Sequence, residues 1–96
     1  MHIATTFEAF ERDAKSAGFD EVITRTWEAD KVLAEHTHPF EAKALVVAGE
    51  MWLTCEGVTR HIPAGGTFHL QPEVPHAERY GSNGATYWVA RRNPSA

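Results

Sequence analysis

Apolar positions along this chain change their period once. In the first segment Phe7, Phe10 and Ala14 recur at i, i+3 and i+7, which is one stripe of an α-helix. That stripe predicts a short helix over about residues 6–16. Thr5 or Thr6 can cap its start, and Glu8 sits in the first turn, where the helix dipole favours negative charge. Gly18 follows the last turn at the position where a left-handed residue ends helices, and Phe19 can close the stop with an apolar contact. One apolar stripe predicts a helix packed on the outside of a larger body.

From residue 20 the helical period disappears. EVITRTWEA, ALVVA, EMWLTCE, VTRHI, GTFHLQ, HAERY and ATYWVARR are short runs rich in β-branched and aromatic residues. Gly49, Gly57, Pro63-Ala64-Gly65-Gly66, Pro72, Pro75, Gly81 and Gly84 punctuate them. Many short strands at close spacing predict an antiparallel sandwich or small barrel over about residues 20–92. The expectation is an all-β fold with one short N-terminal α-helix, forming a single domain over residues 1–96.

Composition narrows the function more than the fold. A chain of 96 residues supports one core. Its formal charge is −4, and its only basic cluster is Arg91-Arg92, so the concentrated positive charge that phosphate backbones require is missing and nucleic acid is not an expected partner. Cys55 is the single cysteine, which excludes an intrachain disulfide and fits a reducing compartment. No apolar run approaches the roughly 20 residues of a membrane span, and the charged N-terminal segment does not read as a signal peptide. A soluble cytoplasmic protein, with no membrane partner, is expected.

The chemistry concentrates in EHTHPFEAKALVVAGE, residues 35–50. On an extended strand His36 and His38 project to the same side, and Pro39 then stops or turns the strand because it cannot donate to a ladder. By themselves they read either as a solvated pair at a strand end or as half of a metal site. His76, in PEVPHAERY, begins a later strand after a proline turn and supplies a third imidazole. Imidazole suits zinc, iron, copper and nickel.

With these residues in view, the chain resembles the cupin superfamily. The first cupin motif pairs H-x-H with a glutamate three or four residues on and a glycine after six more. His36-Thr37-His38-Pro39 and Gly49-Glu50 follow that frame. The second motif is matched by Gly65, a turn, and His76, with EMWLTCEGVTRHIPAGG as the hairpin between. The resemblance covers roughly residues 22–90. It implies a small β-barrel, or jelly roll, with one divalent transition metal (iron, zinc, nickel, manganese or copper) held by His36, His38 and His76.

The chain departs from the family pattern where a carboxylate belongs. Aligned on Gly49, the expected glutamate falls at Ala42, or at Lys43 with the longer spacing. Glu41 is one residue away, and a one-residue shift in a strand turns a side chain to the opposite face. Glu78, two after His76, shares its face on a regular strand, where it could act as a fourth ligand, an orienting partner or a catalytic base. In the second motif Gln71 replaces the usual proline, Glu73 the glycine and Tyr80 the asparagine.

The remaining side chains are assigned blander roles. His61 and His69 are expected to point outward, and His2 to be free. Cys55 is read as a small inward apolar residue beside Met51 and Leu53. Tyr80, Tyr87, Trp52 and Trp88 are read as core or interface. Outward Trp52 and Val47 would leave an apolar face, which predicts a homodimer. The combined expectation is a metal-binding cupin acting on a small carbonyl or carboxylate compound by dioxygenase- or isomerase-type chemistry. The alternatives are a non-catalytic ligand-binding or sensor domain, and a barrel that has lost its metal.

Overall fold

The computed structural model describes residues 6–94. Helix α1 spans Phe7–Ser16, capped by Thr6, whose hydroxyl accepts from the Ala9 amide at 3.1 Å. Thr5, the other capping candidate, and His2 lie outside the described residues. At the far end Gly18 takes φ +97°, the Phe19 amide donates to the Ala14 carbonyl and the Gly18 amide to Lys15. This double closure is the Schellman stop that the Gly18-Phe19 pair predicts. Phe19 and Ala14 then pack with Val22 and Ala90, while Phe7 and Phe10 lie 5.8 and 5.9 Å from the Trp88 ring. The helix therefore covers the outer face of the sheet.

Six strands follow: β1 (Glu21–Trp27), β2 (Val32–His36), β3 (Glu41–Cys55), β4 (Val58–Pro63), β5 (Thr67–Leu70) and β6 (His76–Arg92). All pairings are antiparallel. ALVVA and EMWLTCE, two runs in the sequence, are one long strand, β3; HAERY and ATYWVARR are likewise one strand, β6. Each long strand serves two sheets. The first half of β3 pairs with β5 and with the second half of β6, which also pairs with β1. The second half of β3 pairs with β4 and with the first half of β6, which also pairs with β2. The result is a double-layered, jelly-roll arrangement whose sheet does not close into a full barrel.

The corner is made by backbone chemistry. The β3–β6 register slips between Val46 and Ala48 and again between Gly49 and Met51. Inward positions accordingly change parity, from Ala42, Ala44 and Val46 to Met51 and Leu53. Gly49 sits there at φ +72°, and a Cβ on it would lie 2.1 Å from the Gly84 carbonyl oxygen. Only glycine allows the two strands to approach this closely with that backbone. The core lies between the layers, with Val46, Met51 and Tyr80 fully buried.

Candidate metal centre

His36 and His76 face each other as register partners on β2 and β6, and their rings are 4.4 Å apart. His38 departs from expectation in one respect. β2 ends at His36, so His38 sits in the irregular segment that follows, and not beside His36 on a regular strand. Its backbone carbonyl accepts from the Glu73 amide at 2.7 Å, which ties the segment to the turn before β6. Its ring stacks on Phe40 with centroids 4.8 Å apart. The ligand nitrogens of His36, His38 and His76 all lie within 4.8 Å of one another.

Two backbone contacts fix the imidazole tautomers. His36 Nδ1 donates to the Ala34 carbonyl at 2.7 Å, and His76 Nδ1 to Val74 at 2.9 Å. A proton on Nδ1 leaves a lone pair on Nε2, and both Nε2 atoms point inward. His76 Nε2 is buried with no hydrogen-bond partner. A buried polar nitrogen without a partner is costly unless something fills its lone pair. Burial, with His76 and His36 alongside, lowers the pKa of His38 to about 4, and the nearby Arg91 and Arg25 add to the shift. His38 is therefore neutral at physiological pH, as a ligand must be.

Glu78 completes the arrangement. His76, Glu78 and Tyr80 alternate on one buried face of β6, as the period of a regular strand requires. Glu78 Oε2 lies 3.4 Å from His36 Nε2 and 3.6 Å from His76 Nε2. Ligands about 2.0–2.2 Å from a tetrahedral ion sit roughly 3.3–3.6 Å apart, so this oxygen stands at ligand spacing from both nitrogens. Its other oxygen, Oε1, accepts from the Tyr80 hydroxyl. Burial, with Tyr87 and Glu78 beside it, pushes the Tyr80 pKa far above its usual range, so the hydroxyl remains a donor. Three neutral imidazoles and one oriented carboxylate form a donor set that fits a divalent transition metal.

The other carboxylate candidate is elsewhere. Ala42 faces the cavity, so the position expected to carry glutamate presents a methyl group. Glu41 turns to the opposite face, where Arg92 donates to it at 2.7 and 2.9 Å and His69 at 2.5 Å. The hydrogen bonds from His69 and Arg92 hold the Glu41 pKa below its ordinary 4.5. His69 and His61 point outward as expected, His61 onto Glu50 at 2.6 Å. Trp52 also points outward, but Arg79 lies 4.1 Å over its ring and His61 stacks on it at 4.8 Å. The apolar face on which the homodimer was expected is thus covered within the chain.

The imidazoles line a cavity of about 180 Å³. This is smaller than the roughly 300–1,000 Å³ of drug-sized pockets, so it suits a small compound. Leu33, Phe40, Phe68 and Leu70 make part of its wall, and Arg25 and Arg91 also line it. The two arginines, and the Tyr80–Glu78 contact, were not legible as site features in the sequence. Period-2 spacing after His76 could have flagged Tyr80, whereas Arg91 is placed inward only by the change of parity in β6.

Comparison with solved structures gives the same fold. The DMSP lyase DddQ from Ruegeria pomeroyi DSS-3 superposes with a TM-score of 0.69 at 24% identity, covering 78% of this chain and 40% of that one. KdgF from Halomonas sp. gives 0.65 at 16% identity, with 77% and 69% covered. The cupin_2 domain of an XRE family transcriptional regulator from Enterobacter cloacae gives 0.67 at 18% identity, with 84% and 87% covered. The chain spans only 37% of a second DMSP lyase structure that it resembles. No curated protein matches the sequence. Residues 20–94 match the AraC-like ligand-binding domain, and the chain belongs to that family of cupin-type domains.

Proposed function

We propose that this domain binds one divalent transition metal through His36, His38 and His76 and presents it to a small carbonyl or carboxylate compound. The observation that carries the reading is the pair of Nδ1–carbonyl bonds, which turn two Nε2 lone pairs towards Glu78 Oε2 and leave one of them buried without a partner. A metal so held would act as a Lewis acid on a bound carbonyl or enolate. Glu78 serves as the fourth ligand or as the base, with Tyr80 fixing which oxygen is offered. The apolar wall excludes water from the ligand's body. Dioxygenase- or isomerase-type chemistry fits such a site, and all its residues come from one chain. Homodimerisation and a cytoplasmic location stand as expectations alongside it.

A second reading is supported by the family match and by the resemblance to a regulator's cupin domain. In it the same cavity binds a small ligand without converting it. Turnover of a panel of diketones and sugar acids by metal-loaded protein separates the two readings.

The metal reading is tested by metal analysis of freshly purified protein and by zinc titration of two variants. His38→Ala is expected to remove most of the affinity and His61→Ala to leave it intact. No bound metal in the wild type, or equal losses in the two variants, refutes the ligand assignment.

A further inference from the structure

An arginine on an inward strand position is unusual, because a desolvated guanidinium is costly without a partner. This cavity has two. Arg25 shares the cavity face of β1 with Ile23 and Trp27, and Arg91 continues the inward row of Tyr87 and Val89 on β6. Each is packed on an aromatic ring that leads directly to the metal centre. Arg91 lies 4.6 Å over Phe40, whose other neighbour is His38. Arg25 lies 4.8 Å over Trp27, which stacks at 5.4 Å on Tyr80, the residue that holds Glu78.

Their donors are only partly used. Arg91 Nε is buried with no hydrogen-bond partner. Its Nη1 reaches Glu21 at 3.2 Å, but that carboxylate is 53% exposed, and exposed pairs of this kind are weak and exchangeable. Among the described residues Arg25 forms no ion pair. Two positive forks, one aromatic ring away from the imidazoles, face a small and otherwise apolar space.

We propose that Arg25 and Arg91 together receive the carboxylate of a small, otherwise apolar ligand, and so decide which end of it faces His36, His38 and His76. The inference rests on the proposed small-molecule function and names its substrate class. A guanidinium fork matches a carboxylate bidentately, and the size of the cavity limits the body of the ligand to a few carbons. Stacking on Phe40 and Trp27 holds both forks in place before the ligand arrives, which reduces the ordering cost of binding.

The test uses isobutyrate and its neutral isostere isobutyramide, titrated by calorimetry or ligand-observed NMR into metal-free and zinc-loaded protein. Metal-free wild type is expected to bind the acid about tenfold more tightly than the amide, the size of one or two charged hydrogen bonds. Arg25→Gln and Arg91→Gln should each remove most of that preference and leave amide affinity within about twofold. No preference in the metal-free wild type overturns the proposal without recourse to any variant. A preference that survives both substitutions and appears only with zinc assigns the carboxylate to the metal, which also overturns it. Tighter binding of inorganic phosphate than of isobutyrate overturns the assignment to a carboxylate. If zinc fails to bind but the metal-free preference is present, the metal reading falls and the arginine site stands.

Discussion

Tyr80→Phe probes the metal centre at its most buried support. The substitution removes one hydroxyl and leaves the ring stacked on Trp27. Without metal, Glu78 loses its one strong donor inside the protein, and a buried carboxylate short of a partner costs about 1–3 kcal/mol. With metal, the loss is one of orientation. Removing the outer partner of a ligand typically weakens metal binding roughly 10–100-fold. At zinc a hundred times above the wild-type Kd, linkage stabilises the wild type by about 2.7 kcal/mol, and the variant at the same zinc by only about 0.4–1.4 kcal/mol. In a domain of 96 residues each kcal/mol moves Tm by about 4–8 °C. Zinc should therefore raise Tm by about 11–22 °C in the wild type and by about 2–11 °C in Tyr80→Phe. Thermal unfolding by circular dichroism, with chelator and with fixed free zinc, measures both. Equal zinc-induced shifts in the two proteins would refute the role given to Tyr80 and remove Glu78 from the ligand set.

Two further predictions concern the scaffold. Gly49→Ala combines a positive φ with a backbone clash at 2.1 Å and should cost well above about 2 kcal/mol, whereas Gly57→Ala, at φ +78° with nothing within 4 Å, should cost about 1 kcal/mol; urea unfolding of the pair decides, and similar costs would contradict the corner assigned to Gly49. Glu41 has a folded-state pKa held below 4.5, so its contribution is full above pH 4.5 and is lost as pH falls through the folded value. Glu41→Gln should accordingly be less stable than wild type at pH 7, by about 1 kcal/mol given its half-exposed partners, and the gap should close below pH 4.5; a gap independent of pH would show that the ion pairs are not its cause.

Much of this architecture was legible before the fold was known. Local rules placed the helix, because a capping threonine, an apolar stripe and a Gly-Phe stop act within a few residues of one another. They also placed His76 and Glu78 on one face, since β6 is regular there. They failed where the backbone itself is irregular. The bulges that merge ALVVA with EMWLTCE cost only one residue of register, which no hydrophobic pattern marks, yet they reverse the face of everything after them. His38 joins the site from an irregular segment, anchored by a backbone hydrogen bond that the sequence does not encode locally.

By itself, then, the sequence determined the element types, the all-β class and the three histidines, because period, turn residues and imidazole spacing are local quantities. The missing carboxylate at Ala42 was equally visible. Only the tertiary structure decided which carboxylate stands in its place, that Glu41 faces away, and that Arg25 and Arg91 enter the cavity. Those outcomes depend on the register between strands far apart in the chain. Register is set by the packing of the whole sheet, so no short stretch of sequence contains it.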